Sequence, residues 1–305
     1  MKESASILTV VVPVYNRAGM LSEFLESLQG QDVRGFKLIV VDNCSTDGSR
    51  GVAEQWGKVN PDIPTLVLTE PRRGAAAARQ RGLEEVDTEW TLFFDSDDLM
   101  LPGHIGRVLR HIYAHPETDI WGWNVKTDLP GGVVRYFHSH PSAWTNVMNG
   151  TFATSRYCAR TSLFRKAGGW NPEIGLWDDI ELGARLLRQK PKIEKIVGEE
   201  LMVVRVLSES ITGDSYTGWM RRMEPALQSI ESGLRGRDRF ITDIKRAQTY
   251  GGAAREGSVE AVNKMQALLG RTSGRLRRLA LRYIYRTVRC GIRGTYLLLK
   301  PFYDR

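Results

Sequence analysis

The chain has no run of eighteen or more uncharged apolar residues, which argues against a transmembrane helix. Cysteine is scarce: Cys44, Cys158 and Cys290 are odd in number and widely spaced. That pattern offers neither a disulfide framework nor a paired-cysteine metal site, and it fits a reducing cytoplasm. The opening stretch MKESASILTVVVPVYN has a short apolar run without a small-residue cleavage pattern, so a first strand is expected there rather than a leader. Internal repeats and low-complexity tracts are absent, and 42% hydrophobic with 26% charged residues excludes global disorder as an expectation. A basic body with a nucleic-acid reading element is missing too. Ten of the 43 Lys and Arg lie in residues 271–305 beside a single acid, Asp304, which leaves 33 basic against 34 acidic residues elsewhere. The body is nearly neutral, and nucleic acid is not an expected partner.

What the chain does have is a carboxylate pair at the end of an apolar run. Trp90 to Phe94 reads as a buried strand, aromatic and apolar, without Gly or Pro. Asp95, Ser96 and Asp97 follow at its carboxyl end, where open α/β sheets place their ligands. An extended backbone points alternate side chains the same way, so Asp95 and Asp97 are expected to converge on one object. Two hard carboxylates suit Mg²⁺ or Mn²⁺, which arrives with substrate phosphates and water. The same D-S-D-D also suits a polar turn with capping acids, and the triplet alone favours that turn; its position after a buried strand, with the segments below, reverses the preference.

Apolar runs alternate with helix-like segments from Ile7 to about Trp123. Strands are expected at Ile7–Val12, Lys37–Val41, Thr65–Leu68 and Trp90–Phe94, with helices at Met20–Leu28, Asp47–Trp56 and Ala75–Val86. Such alternation predicts an α/β fold, a mostly parallel sheet flanked by helices. Residues 130–160, with PGG and several His and Trp, are expected to form an irregular insertion. A helix is expected over 178–189 with Asp178 and Asp179 at its positive end. A last strand is expected at Val203–Leu207, and from about Tyr216 the pattern is helical and Arg-rich, with loops near Gly251–Gly252 and Thr272–Gly274. The expected division is one catalytic-type domain over 1–212 and a helical, basic C-terminal extension over 213–305.

Four segments in order, VVPVYN (11–16), VVDNCSTDGS (40–49), GAAAARQRGL (74–83) and FFDSDD (93–98), resemble the family 2 glycosyltransferases with a GT-A fold. A fifth, GGWNPEIGLWDDIEL (168–182), is similar to that family's acceptor-side signature, and the resemblance covers roughly residues 5–212. One such motif is weak; five in the family's order are specific. The resemblance implies inverting transfer of a sugar from a nucleoside-diphosphate sugar, expected to be UDP-linked. The expected acceptor is a hydroxyl of a glycan or lipid-linked molecule in surface polysaccharide or glycoconjugate synthesis.

The resemblance also assigns residues. It puts Pro13, Val14 and Tyr15 around the nucleotide base, with Asp42 and Asn43 beside the same pocket. Family members often carry a second Asp where Asn43 stands; its carboxamide can accept from a base N–H and donate to a carbonyl. Gly74 would permit close backbone approach, and Arg79 would face the ribose or diphosphate, a solvated helix Arg being the plainer alternative. Gln80 stands where the family usually has Asn, and Arg72, Arg73 and Arg81 read as surface charges. Asp95, Ser96 and Asp97 would face the donor, with Asp95 and Asp97 holding Mn²⁺ or Mg²⁺. Asp179 is the implied catalytic base, Asp178 replaces the usual Glu, and Trp177 beside them would touch the acceptor; helix capping by both acids is the plainer reading. Trp121, Trp123, Trp144 and Trp170 join Trp177 as candidates for a sugar-stacking platform, and equally for core. His138 and His140 read as polar loop residues.

In the tail, Arg278, Arg282, Arg286, Arg289 and Arg293 share one helical face, and Leu281, Ile284, Tyr285, Val288 and Ile292 another. A basic amphipathic helix with aromatics reads either as attachment to an anionic membrane or as a helix packed on the protein. The first reading puts the protein in the cytoplasm, peripheral at the inner face of the cell membrane. Two rival functions are a nucleotidyltransferase and a catalytically silent membrane-associated scaffold. The first would show a Gly-rich, Lys-bearing phosphate loop that VVPVYNRAG lacks; the second would not need Asp95, Asp97 and Asp179.

Overall fold

The computed structural model describes residues 6–198, 200–206, 215–292 and 294–303. The chain groups into two units: residues 1–140, 151–173 and 186–206 form the first, and residues 141–150, 174–185 and 207–305 the second. The expected division was one cut at residue 212. Here the segments 141–150 and 174–185 group with the helical part.

The first unit starts as strand–helix alternation: β1 (Leu8–Val14), α1 (Ala18–Gln29), β2 (Phe36–Asp42), α2 (Ser49–Val59), β3 (Thr65–Thr69), α3 (Ala75–Glu85) and β4 (Trp90–Phe93). β1 is buried along its whole length, as a central parallel strand covered on both faces must be. Its one hydroxyl, on Thr9, is paired with Thr88 at 2.7 Å. β5 (Leu99–Met100), α4 (His104–Ala114), β6 (Ile120–Gly122), β7 (Val125–Thr127) and β8 (Val134–Arg135) follow. After α5 (Ala143–Asn149) come β9 (Tyr157–Arg160), α6 (Thr161–Lys166), α7 (Asp178–Leu187), β10 (Ile193–Lys195) and β11 (Met202–Val204).

Seven strands make the main sheet in the order β10-β6-β9-β4-β1-β2-β3, and β5-β11-β7-β8 make a smaller one. Parallel register sets Val14 beside Asp42 and Val11 beside Phe93, so the residues after β1, β2 and β4 leave the sheet along one edge. Ligands of open α/β sheets bind at that edge.

The expected irregular insertion over 130–160 is corrected. It contains β8, α5 and β9, and β9 runs antiparallel between β4 and β6 near the middle of the sheet. Four residues, YCAR, are too few to show periodicity; their strand character comes from pairing on both sides. The last strand is Met202–Val204, in the small sheet, and Leu207 lies outside the described residues.

The second unit adds α8 (Tyr216–Arg222), α9 (Glu224–Gly233), α10 (Phe240–Arg255), α11 (Val259–Arg271), α12 (Arg275–Arg289) and a 3-10 helix at Thr295–Phe302. Gly251 and Gly252 do not break this pattern; they lie inside α10. A Cβ on Gly251 would sit 2.7 Å from the Tyr285 carbonyl oxygen, and one on Gly252 2.3 Å from the Tyr216 ring. Both glycines serve close packing, α10 against α12 and against α8. The amphipathic α12 buries Leu281, Ile284 and Val288 inside this unit and exposes Arg278, Arg282, Arg286 and Arg289. Ile292 lies past the end of α12 and is 53% exposed; Arg293 lies outside the described residues.

Candidate functional site

The edge after β1 and β2 is held by side chains that bond backbone. Asn43 is buried and spends its amide on one loop: Nδ2 donates to the carbonyls of Glu70 and Arg72, both at 2.7 Å, and Oδ1 accepts from the Gly74 amide at 2.8 Å. The carboxamide expected at the base edge thus clamps residues 70–74. Asp42 accepts from the Ser45 amide at 3.3 Å, and Asn16, in a left-handed conformation at φ 49, accepts from the Thr46 amide at 2.7 Å. Gly74 also has positive φ, 126, and a Cβ there would meet nothing within 4 Å, so glycine is needed for conformation and the space beside it is open.

Pro13 and Val14 finish β1 as buried residues, and Tyr15 follows them 43% exposed. Arg73 lies 5.2 Å over the Tyr15 ring and donates to its hydroxyl at 2.8 Å, so it is part of this edge rather than a plain surface charge. Arg72 turns back onto buried Glu70 at 2.9 Å and, by that hydrogen bond first, holds its carboxyl below the usual range. Arg81 pairs with Glu85 at 2.6 Å on the helix surface.

Asp95 to Asp98 form a turn, closed by the Asp98 amide on the Asp95 carbonyl at 3.1 Å. The backbone here is not extended, so a turn, and not strand alternation, brings Asp95 and Asp97 near each other. Burial first, and the Asp95 charge second, raise the Asp97 carboxyl above its ordinary range. Asp98 is raised further by the same causes, and it accepts from the Arg205 amide at 3.2 Å. Arg79 is buried rather than solvated. It bonds Asp95 Oδ1 at 2.6 Å and lies 4.7 Å from the centroid of the Trp170 ring. Gln80, the other departure from the family motif, accepts from the Trp170 amide at 2.9 Å and so ties α3 to the GGW turn. Ser96 is buried in the turn.

Three residues here carried no sequence signal. Ser155, at φ 67, accepts from the Asp95 amide at 3.0 Å across sixty positions of chain, and its carbonyl accepts from Trp123 Nε1. Arg205 bonds the Asp97 carbonyl and Glu23. His104 is fully buried between Phe94 and Trp123, with Nδ1 on the Leu201 carbonyl at 2.7 Å, and burial pushes its imidazole down to about 4.

Asp178 and Asp179 begin α7 in the second unit, where acids suit the helix dipole. Asp179 Oδ1 accepts from the Ile180 amide at 2.7 Å. Glu181, one turn in, is buried and committed to Arg185 at 2.6 Å and Ser229 at 2.6 Å; Leu182 is core. Trp177 is half-buried and left-handed at φ 68, with the Lys245 ammonium 4.6 Å from its ring centroid. The wider stacking platform is corrected: Trp121, Trp123, Trp144 and Trp170 are buried core residues. His138 and His140 belong to the loop after β8.

A divalent cation fits the donor set at the 95–98 turn in one respect: two neighbouring acids, crowded by burial and by each other's charge, are hard oxygen ligands. Among the described residues no cluster of three or more His, Cys, Asp or Glu could hold a metal by itself. Other ligands would have to come from substrate and water.

Known proteins are similar to this chain in sequence and in fold. The family model described as Glycosyl transferase family 2 matches residues 9–168. The GalNAc(5)-diNAcBac-PP-undecaprenol beta-1,3-glucosyltransferase of Campylobacter jejuni is 29% identical over 111 residues, 35% of this chain and 36% of that protein. The chain spans about a third of the length of such curated relatives. The structure of S. aureus TarS 1-349 in complex with UDP-GlcNAc superposes with a TM-score of 0.68 at 17% identity, covering 93% of this chain and 92% of that one. Mannosyltransferase PcManGT from Pyrobaculum calidifontis, in complex with GDP-Man and Mn2+, gives 0.59 at 17% identity, over 92% and 84%. These likenesses show a GT-A fold. With the family model taking in more than half of the residues, and its motifs standing at adjacent strand ends, the chain belongs to glycosyl transferase family 2.

Proposed function

We propose that the protein transfers a sugar, with inversion at the anomeric carbon, from a nucleoside-diphosphate sugar to a hydroxyl of a glycan or lipid-linked acceptor in surface polysaccharide or glycoconjugate synthesis. The observation that carries this reading is the 95–98 turn at the end of β4, on the edge that also presents Tyr15, Arg73 and Gly74. Tyr15 offers a ring to a base, and Arg73 already lies over that ring. Arg79 fixes Asp95 by one oxygen and leaves the other for a ligand. Asp95 and Asp97 would hold Mn²⁺ or Mg²⁺. When bound, the cation neutralises the leaving nucleoside diphosphate. Asp179 would take the acceptor proton as it attacks, where placement counts before pKa. Asp178 and Trp177 would stand on the acceptor side.

UDP-sugars are the first donors to test, because TarS is solved with UDP-GlcNAc. The name of the Campylobacter relative, a glucosyltransferase on a PP-undecaprenol-linked glycan, supports a lipid-linked acceptor. A peripheral place at the inner face of the cytoplasmic membrane suits such an acceptor. It is supported by the outer face of α12, where Arg278, Arg282, Arg286 and Arg289 stand with exposed Leu276, Leu279 and Tyr283. The deciding experiment is donor hydrolysis with a panel of nucleotide sugars, with and without Mn²⁺. One donor should be hydrolysed, and Asp97→Ala should abolish its metal-dependent binding. A panel that is bound by nothing and hydrolysed nowhere would favour the silent scaffold; equal binding with a chelator present would remove the metal.

A further inference from the structure

Lys245, in the middle of α10, has no ion pair among the described residues. Among the described residues, six carboxylates of its unit are held elsewhere. Glu181 holds Arg185 and Ser229, while Glu224, Glu231 and Asp243 surround Arg246. Glu256 accepts from the amides of Tyr216 and Thr217, and Glu260 pairs with Arg221. What Lys245 has instead is the Trp177 ring, 4.6 Å from its ammonium. Burial pushes the amine down to about 8, and the group is still charged at neutral pH.

The place of this cation is fixed by its neighbour. Trp177 holds a left-handed backbone, φ 68, which bulky residues avoid unless their surroundings impose it. Asp178 and Asp179 follow it directly at the start of α7. An ammonium with no ion pair among the described residues thus lies half-buried on an aromatic face beside the segment assigned to the acceptor. An anion of the substrate would pair with it, whereas a neutral sugar would leave it unpaired.

We propose that Lys245, held on the Trp177 ring, takes an anionic phosphate or carboxylate group of the acceptor, so that the acceptor is an acidic or phosphate-bearing glycan. The inference rests on the reading of Asp179 as the acceptor-side base. It needs no group beyond those present: binding is an ion pair with charge-assisted hydrogen bonds from Nζ.

The test uses the full chain with UDP and Mn²⁺ present. Dilute acetic anhydride labels lysine amines, read residue by residue by mass spectrometry, with exposed Lys58 as the internal standard. Methyl phosphate, methyl glucuronide and methyl glucoside are compared at one ionic strength. Labelling of Lys245 should slow several-fold with methyl phosphate or with methyl glucuronide, and the one that protects identifies the anion. It should not change with the glucoside. Equal labelling in all three overturns the proposal. In a parallel thermal melt, the protecting anion should raise the Tm of the unsubstituted protein and of Lys245→Arg, and leave Lys245→Met unmoved; equal stabilisation of Lys245→Met also overturns it. The base assignment fails separately, through Asp179→Asn retaining transfer, a result that labelling of Lys245 does not touch.

Discussion

Two clusters of buried charge, one in each unit, are handled in opposite ways. In the helical unit Arg246 is 1% exposed and faces three acids, Glu224, Glu231 and Asp243, while Arg239 and Arg271 cover their outer sides. Every partner is matched, and the network reads as structure. In the sheet unit three acids crowd one turn: Asp97 and Asp98 are raised, and Asp95 is met by Arg79. Neighbouring cations offset this crowding only in part, since Asp97 and Asp98 stay raised, and proteins tolerate such a cost mainly where a ligand completes the set. The contrast separates charge that builds the fold from charge that waits for substrate.

The largest effect should come from breaking the matched set. Arg246→Met removes one member and strands its acids, so stability should fall by about 3–5 kcal/mol in urea titration, with donor binding by the remaining folded protein intact. Next is the sheet unit's buried imidazole. His104 is neutral in the native state down to about 4, against an ordinary 6.5. The unfolded chain takes up a proton below 6.5 that the native one refuses. Stability is therefore full above 6.5 and falls as pH drops toward 4, by about 3 kcal/mol from this group. Urea midpoints at pH 7.5 and 4.5, repeated in His104→Gln, would show whether that slope belongs to His104.

Smaller in free energy, but decisive for function, is Asp179→Asn. Transfer should drop by roughly a hundredfold or more while nucleotide affinity stays within a factor of about two. If Asp178→Asn is the variant that loses transfer, the assignment moves by one residue. The smallest effect is at the surface. Arg286→Gln alone should weaken binding to anionic vesicles by about 1 kcal/mol and leave the Tm nearly unchanged. Unsubstituted protein that fails to float with such vesicles at low salt would end the membrane reading.

Much of the sheet unit was legible because parallel strands buried on both faces advertise themselves: β1 to β4 fall within two residues of their expected bounds at either end. The turn at 95–98 was legible as a motif, though not its shape, since a two-residue alternation was read where the backbone turns. What local sequence cannot carry is closure across distance. Ser155 reaches Asp95 and Arg205 reaches Asp97 and Glu23 only after the chain has returned from far away. Gly251 and Gly252 were read as a loop because glycine breaks isolated helices, yet here their lack of a side chain is what lets three helices meet. The amphipathic pattern of α12 was correct as a pattern, but a pattern does not name the partner of its apolar face. That face is spent inside the helical unit.

Asn43 carries a consequence for how the protein ages. Its carboxamide is the hinge pin of residues 70–74, donating to two carbonyls and accepting from one amide. Hydrolytic loss of ammonia from that side chain would leave its volume nearly unchanged but set a carboxylate oxygen 2.7 Å from two carbonyl oxygens. Two attractions would become repulsions, and the loop before Gly74 would be pushed from its place while the core beneath stayed packed. Burial slows that hydrolysis, so the change would accumulate with storage rather than with use. Mass spectrometry of an aged sample, fractionated by its grip on nucleotide, should find the one-dalton-heavier peptide concentrated among molecules that are folded and empty-handed.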